Sequence, residues 1–143
     1  MTTAPVPALK DRWLRAVIYG FLAEVATIVT IIGVVMANRY SIATEQTDAE
    51  YTAFGERVGA VVGIAGGTLY TFLFARALMR RLSTRFIAHG VVVALAAIAL
   101  SVAGSIAGHQ GVPAGYVIAS LLKLAAGVLA GFLGASRVPQ PAT

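Results

Sequence analysis

Apolar positions in this chain come in four long blocks, separated by short polar segments. From Ala16 to Ala37 every face of the stretch is apolar except for one carboxylate, Glu24. A run of that length without proline reads as a membrane-crossing helix, because about 20 helical residues span the ~30 Å of bilayer hydrocarbon. A second block runs from about Val58 to Ala75, with Thr68, Tyr70 and Thr71 as its polar side chains, a third from Phe86 to Gly108 and a fourth from Ala114 to Ser136. The segment Asn38 to Arg57 holds Glu45, Asp48, Glu50 and Glu56. Within it, Thr47-x-x-Glu50 has the spacing of a capping box, so the second helix is expected to begin outside the bilayer near Asp48. His109-Gln110-Gly111-Val112-Pro113 reads as a tight turn whose proline suits the first turn of the helix that follows. The pattern predicts an all-α integral membrane protein, a four-transmembrane-helix up-down-up-down bundle. It forms one membrane domain over residues 1–143, with spans at about 14–37, 58–76, 86–108 and 114–136 and tails at 1–9 and 138–143 without regular structure.

Composition narrows the chemistry. Hydrophobic residues make up 58% and charged residues 12%, against roughly 45–50% and 25% in soluble domains. Without cysteine there are no disulfides, iron-sulfur clusters or thiolate zinc sites. His89 and His109 are too few and too far apart to suggest a metal site, and both are expected to be solvated. No cofactor is expected.

The net charge of +5 would suit nucleic acid, but the basic residues flank apolar blocks instead of interleaving with aromatics, so no nucleic-acid partner is expected. They serve better as topology signals. Lys10, Arg12, Arg15, Arg76, Arg80, Arg81, Arg85 and Arg137 fall on one side of the bundle, and Arg39 and Arg57 on the other among four acids. This bias places both termini and the basic turn in the cytoplasm. Basic residues ahead of an apolar stretch also open secretory signals, whose apolar region is only about 7–15 residues, shorter than the first block here. Arg76, Arg80, Arg81 and Arg85 form a patch able to contact anionic lipid headgroups at ~1 kcal/mol each. Anchoring of topology explains the same four residues equally well.

The apolar blocks contain two charges. Glu24 lies well inside the first and Lys123 well inside the fourth, at similar depth. A lone carboxylate there costs at least ~2.5 kcal/mol to insert, so two opposite charges at one depth are expected to be partners. Ala16, Gly20 and Glu24 follow at four-residue spacing, as do Ala119, Lys123, Gly127, Gly131 and Ala135. Small residues at that interval mark faces where backbones approach, which predicts a contact between the first and fourth helices with both charges turned into protein. Thr27 and Thr30 could extend a polar path beyond Glu24. The favoured reading is that each bonds its own i−4 carbonyl. Gly59, Gly63 and Gly67 form a double Gly-x-x-x-Gly ridge in the second span, read as a packing face first and a dimerisation face second, and Ala97, Ser101 and Ser105 repeat the interval in the third.

Around Glu24 the residues Tyr19-Gly20-Phe21-Leu22-Ala23-Glu24-Val25-Ala26-Thr27 resemble the first helix of the small multidrug resistance transporters, four-helix bacterial proteins. The Leu-Ala-Glu-Val core is the specific part. The resemblance implies a membrane-embedded Glu24 that binds either protons or a cationic drug, in an antiparallel homodimer. The Pro-, Tyr- and Trp-containing motifs of that family's second and third helices are missing here, and a lysine beside the carboxylate would repel a cation. The expected function is therefore that of a non-enzymatic structural or accessory subunit in a bacterial inner membrane, whose Glu24–Lys123 pair locks the bundle. The alternative is a small proton-coupled transporter or ion pathway using Glu24. The expected partners are the lipid bilayer and a second copy or a larger membrane complex.

Overall fold

The computed structural model describes residues 9–42, 45–107 and 114–137. All regular elements among them are helices. Helix α1 covers Leu9–Ala37 and continues through a π turn at Asn38–Ile42. Helix α2 covers Asp48–Met79, with a π turn at Val62–Gly66 in its middle. Helices α3, Phe86–Ala107, and α4, Ala114–Ala135, complete the chain. Each of the four is long and apolar enough to cross a membrane, and the chain is a multi-pass integral membrane protein. The turn predicted around His109, residues 1–8 and the C-terminal tail lie outside the described residues, whereas Leu9, expected in the N-terminal tail, opens α1.

Burial is distributed as a lipid solvent demands. Large side chains such as Phe21, Val29, Ile32, Leu121 and Phe132 point outward, whereas the interior is rich in small residues, among them Ala16, Ala23, Ala75, Ala94, Ala97 and Ala130. Lipid tails are as apolar as leucine, so nothing drives large side chains inward; close backbone approach over small residues holds the helices together instead.

The α2–α3 connection reverses the chain in a few residues. Arg81 and Leu82 donate backbone hydrogen bonds to the carbonyls of Leu78 and Met79 at 2.9 and 3.3 Å. Arg85 then adopts a left-handed conformation, φ 54°, strained for a residue with a Cβ. Its carbonyl accepts from the backbone N–H of His89 at 3.1 Å and from His89 Nδ1 at 2.8 Å. Because a carbonyl only accepts, Nδ1 carries the proton. The imidazole is also stacked on Trp13, with ring centroids 4.3 Å apart. His89, expected to be solvated, is only 3% exposed. It is held by the strained turn and by the start of α1.

At the opposite end, Thr47 caps α2 as its spacing predicted. Its hydroxyl accepts from the Glu50 N–H at 3.4 Å, and the Glu50 carboxylate accepts from the Thr47 N–H at 2.9 Å. Helix α2 thus begins well before the apolar block. Its 32 residues measure roughly 48 Å at about 1.5 Å each, more than the hydrocarbon needs.

Neighbours around the bundle are not in chain order. Helix α3 packs against α1 and α4, and α2 packs against the same two helices from the other side, so α1 and α4 face each other across the bundle. The register is readable from particular pairs. Along α1 and α3, Trp13 meets His89, Gly20 meets Val93 and Glu24 meets Ser101, so the two run parallel. Along α3 and α4, Gly90 meets Gly127 and Ile87 meets Gly131, so these run antiparallel.

Two expectations about packing need correction. The small faces of the first and fourth helices do not meet each other; both meet α3. A Cβ on Gly20 would strike the carbonyl oxygen of Val93, one on Gly127 the carbonyl oxygen of Gly90, and one on Gly131 would lie 2.6 Å from the Cα of Ile87. The ridge Gly59, Gly63 and Gly67 is not one packing face either. A Cβ at Gly59 or Gly63 would meet nothing within 4 Å, whereas Gly67 is buried against Lys123. A π turn at Val62–Gly66 interrupts the α winding between them.

Candidate functional site

Glu24 sits on α1 with Ala23 and Thr27 buried beside it, and Lys123 on α4 next to buried Ala126 and Gly127. The two charges are 7% and 3% exposed. The Lys123 ammonium donates to Glu24 Oε2 at 2.6 Å and to Ser101 Oγ, on α3, at 2.7 Å. Ser101 in turn donates to Glu24 Oε1 at 2.5 Å. The carbonyl of Ala97 is a longer contact of the same hydroxyl, at 3.2 Å. Carboxylate, ammonium and hydroxyl therefore close a ring in which each group is bonded to the other two.

The remaining helix, α2, contributes space. A Cβ at Gly67 would lie 2.7 Å from Lys123 Cε and 3.4 Å from its Nζ. A side chain at 67 would have to displace the end of the lysine stem. The ring thus depends on all four helices. It also explains how α1 and α4 interact without packing together: two side chains reach across the bundle, one of them a cation on a flexible four-carbon stem.

Chemically, the arrangement is self-contained. Each Glu24 oxygen has a charge-assisted or hydroxyl donor, at distances typical of the stronger class of hydrogen bond. The ammonium is committed to a carboxylate, so it is not placed to take the Ser101 proton as a base would. The ring is a means of carrying charge in an apolar interior at reduced cost.

The sequence-predicted residues fall into three groups. Glu24 and Lys123 are brought together. Thr27 and Thr30 bond their own i−4 carbonyls, at 3.0 Å to Ala23 O and 2.8 Å to Ala26 O, as favoured. Thr30 Oγ1 additionally contacts Tyr70 Oη at 2.8 Å, linking α1 to α2 one to two turns from the ring. Of the basic patch, Arg76 and Arg80 share a cavity with Arg137 of the distant C-terminal end, whereas Arg81 and Arg85 are exposed apart from it.

Ser101 is the functional residue that sequence reasoning missed. It stood among the small residues of the third span, and its depth, similar to that of Glu24 and Lys123, was the available signal. Among the described residues no three His, Asp or Glu side chains gather as metal ligands. Comparison with protein-family models, curated proteins and solved structures finds no match to this chain.

Proposed function

We propose that this protein is a non-enzymatic structural or accessory subunit of a bacterial inner membrane, and that its Glu24–Lys123 pair fixes helix order and register. The closed ring of Glu24, Lys123 and Ser101 carries this reading. A carboxylate poised to exchange partners would need an unoccupied oxygen facing a substrate route, and here both oxygens are bonded to the protein. Buried polar groups that satisfy one another specify a single arrangement of the elements that bear them. The strong positive bias of one end supports the orientation with both termini cytoplasmic.

Charge neutralisation tests it. Glu24→Gln should lower the unfolding free energy of the detergent-solubilised protein by about 3 kcal/mol, because it leaves a buried ammonium uncompensated. Glu24→Gln combined with Lys123→Met should recover most of that loss. A double variant as unstable as the single one would sink the structural reading. Proton flux into proteoliposomes that is coupled to a cation and abolished by Glu24→Gln would replace it with the transport function that the resemblance around Glu24 implies.

A further inference from the structure

The basic end of the bundle holds a cavity of about 250 Å³ between the end of α2 and the end of α4. Arg76, Arg80 and Arg137 line it together with the apolar side chains of Met79, Leu82 and Phe86. Close packing brings the third arginine in. A Cβ at Gly134 would lie 3.0 Å from both Met79 Cβ and Phe86 Cδ1, so the glycine lets the end of α4 settle onto α2 and deliver Arg137 three residues later.

Among the described residues these guanidiniums have no counter-charge. Among the described side chains the acids are Glu24, committed to the ring, and Glu45, Asp48, Glu50 and Glu56, at the opposite end. Arg76 Nη1 is moreover buried without a hydrogen-bond partner. A buried donor on a charged group without an acceptor, in a cavity lined by two further arginines, suits an anion.

The geometry points to a site for a phosphate group here, supplied by an anionic phospholipid. Guanidinium forks match phosphate oxygens in pairs, and three of them can neutralise one phosphodiester. The cavity lies where the apolar part of α2 ends, at the depth of headgroup phosphates. Its Met79, Leu82 and Phe86 walls suit the glycerol and first methylenes of a lipid better than they suit a hydrated free ion. The site is distinct from the general basic patch, because Arg81 and Arg85 take no part in it.

That distinction supplies the test. The full chain in neutral detergent at low salt is titrated with phosphatidylglycerol, phosphatidylcholine or inorganic phosphate, and bound lipid is counted by native mass spectrometry. Wild-type protein should prefer phosphatidylglycerol over phosphatidylcholine by about tenfold or more, as expected for two to three arginines near a headgroup. R76Q/R137Q should lose the preference, while R81Q/R85Q, with the same loss of net charge, should keep it. Retention in R76Q/R137Q, or equal loss in both double variants, overturns the site. Displacement of lipid by millimolar inorganic phosphate but not by matched chloride would show that the phosphate group alone is recognised; failure to displace it would assign the site to the intact lipid. Should R76Q/R137Q not fold, Arg80→Gln against Arg81→Gln reads the same contrast, with the loss confined to Arg80→Gln.

Discussion

At mid-bundle, Lys123 has two acceptors within 2.7 Å and Glu24 has two donors, whereas at the basic end Arg76, Arg80 and Arg137 share a cavity in which Arg76 Nη1 has none. Both groups place cations against apolar walls. The difference lies in what else is within reach. In the hydrocarbon, no water or headgroup can complete a charge, so the chain brings the opposite charge and a hydroxyl from its own helices. At the end of α2, the proposed phosphate site would take its anion from the bilayer. Where a charge sits relative to the interface decides whether its partner is internal or borrowed.

Substitutions can break or sharpen this contrast. The largest effect is expected from Lys123→Met, which strands Glu24 in the interior and should cost about 3–5 kcal/mol of unfolding free energy in detergent. A loss under about 1 kcal/mol would mean that the mid-bundle charges are not mutually dependent. Ser101→Ala removes one donor and one acceptor but leaves the ion pair, and thermal or chemical unfolding should register about 1–3 kcal/mol. Were Ser101→Ala neutral, the ring would reduce to a pair. Arg76→Gln should change stability least, within about 0.5 kcal/mol in lipid-free neutral detergent, since no described side chain pairs with that charge. A marked destabilisation there would reveal an internal partner and erase the difference between the two regions.

Much of this design was legible in the sequence. Span length and apolarity are one-dimensional properties, so four blocks sufficed for four helices. Depth is also one-dimensional, and it paired Glu24 with Lys123 correctly. The capping box at Thr47 is local and came through unchanged. What depends on angular position was lost. The four-residue spacing of Gly20 and Gly127 signalled close approach but not its target, α3 in both cases. The π turn at Val62–Gly66 has no sequence signature that separates it from the helix around it, so Gly59 and Gly63 were grouped with Gly67. Arg137 cannot be joined to Arg76 from their separation in the chain, and the place of His89 near the end of its span suggests solvent, whereas Trp13 of α1 covers it.

The diagonal placement of Glu24 and Lys123 also bears on biogenesis. The two residues are 99 positions apart, on the earliest and the latest of these four helices to leave a ribosome. During synthesis Glu24 enters the lipid without its ammonium, gains the hydroxyl of Ser101 when α3 arrives, and is neutralised only by α4. A chain that lacks α4 therefore leaves without its ammonium a carboxylate that the four-helix bundle hides.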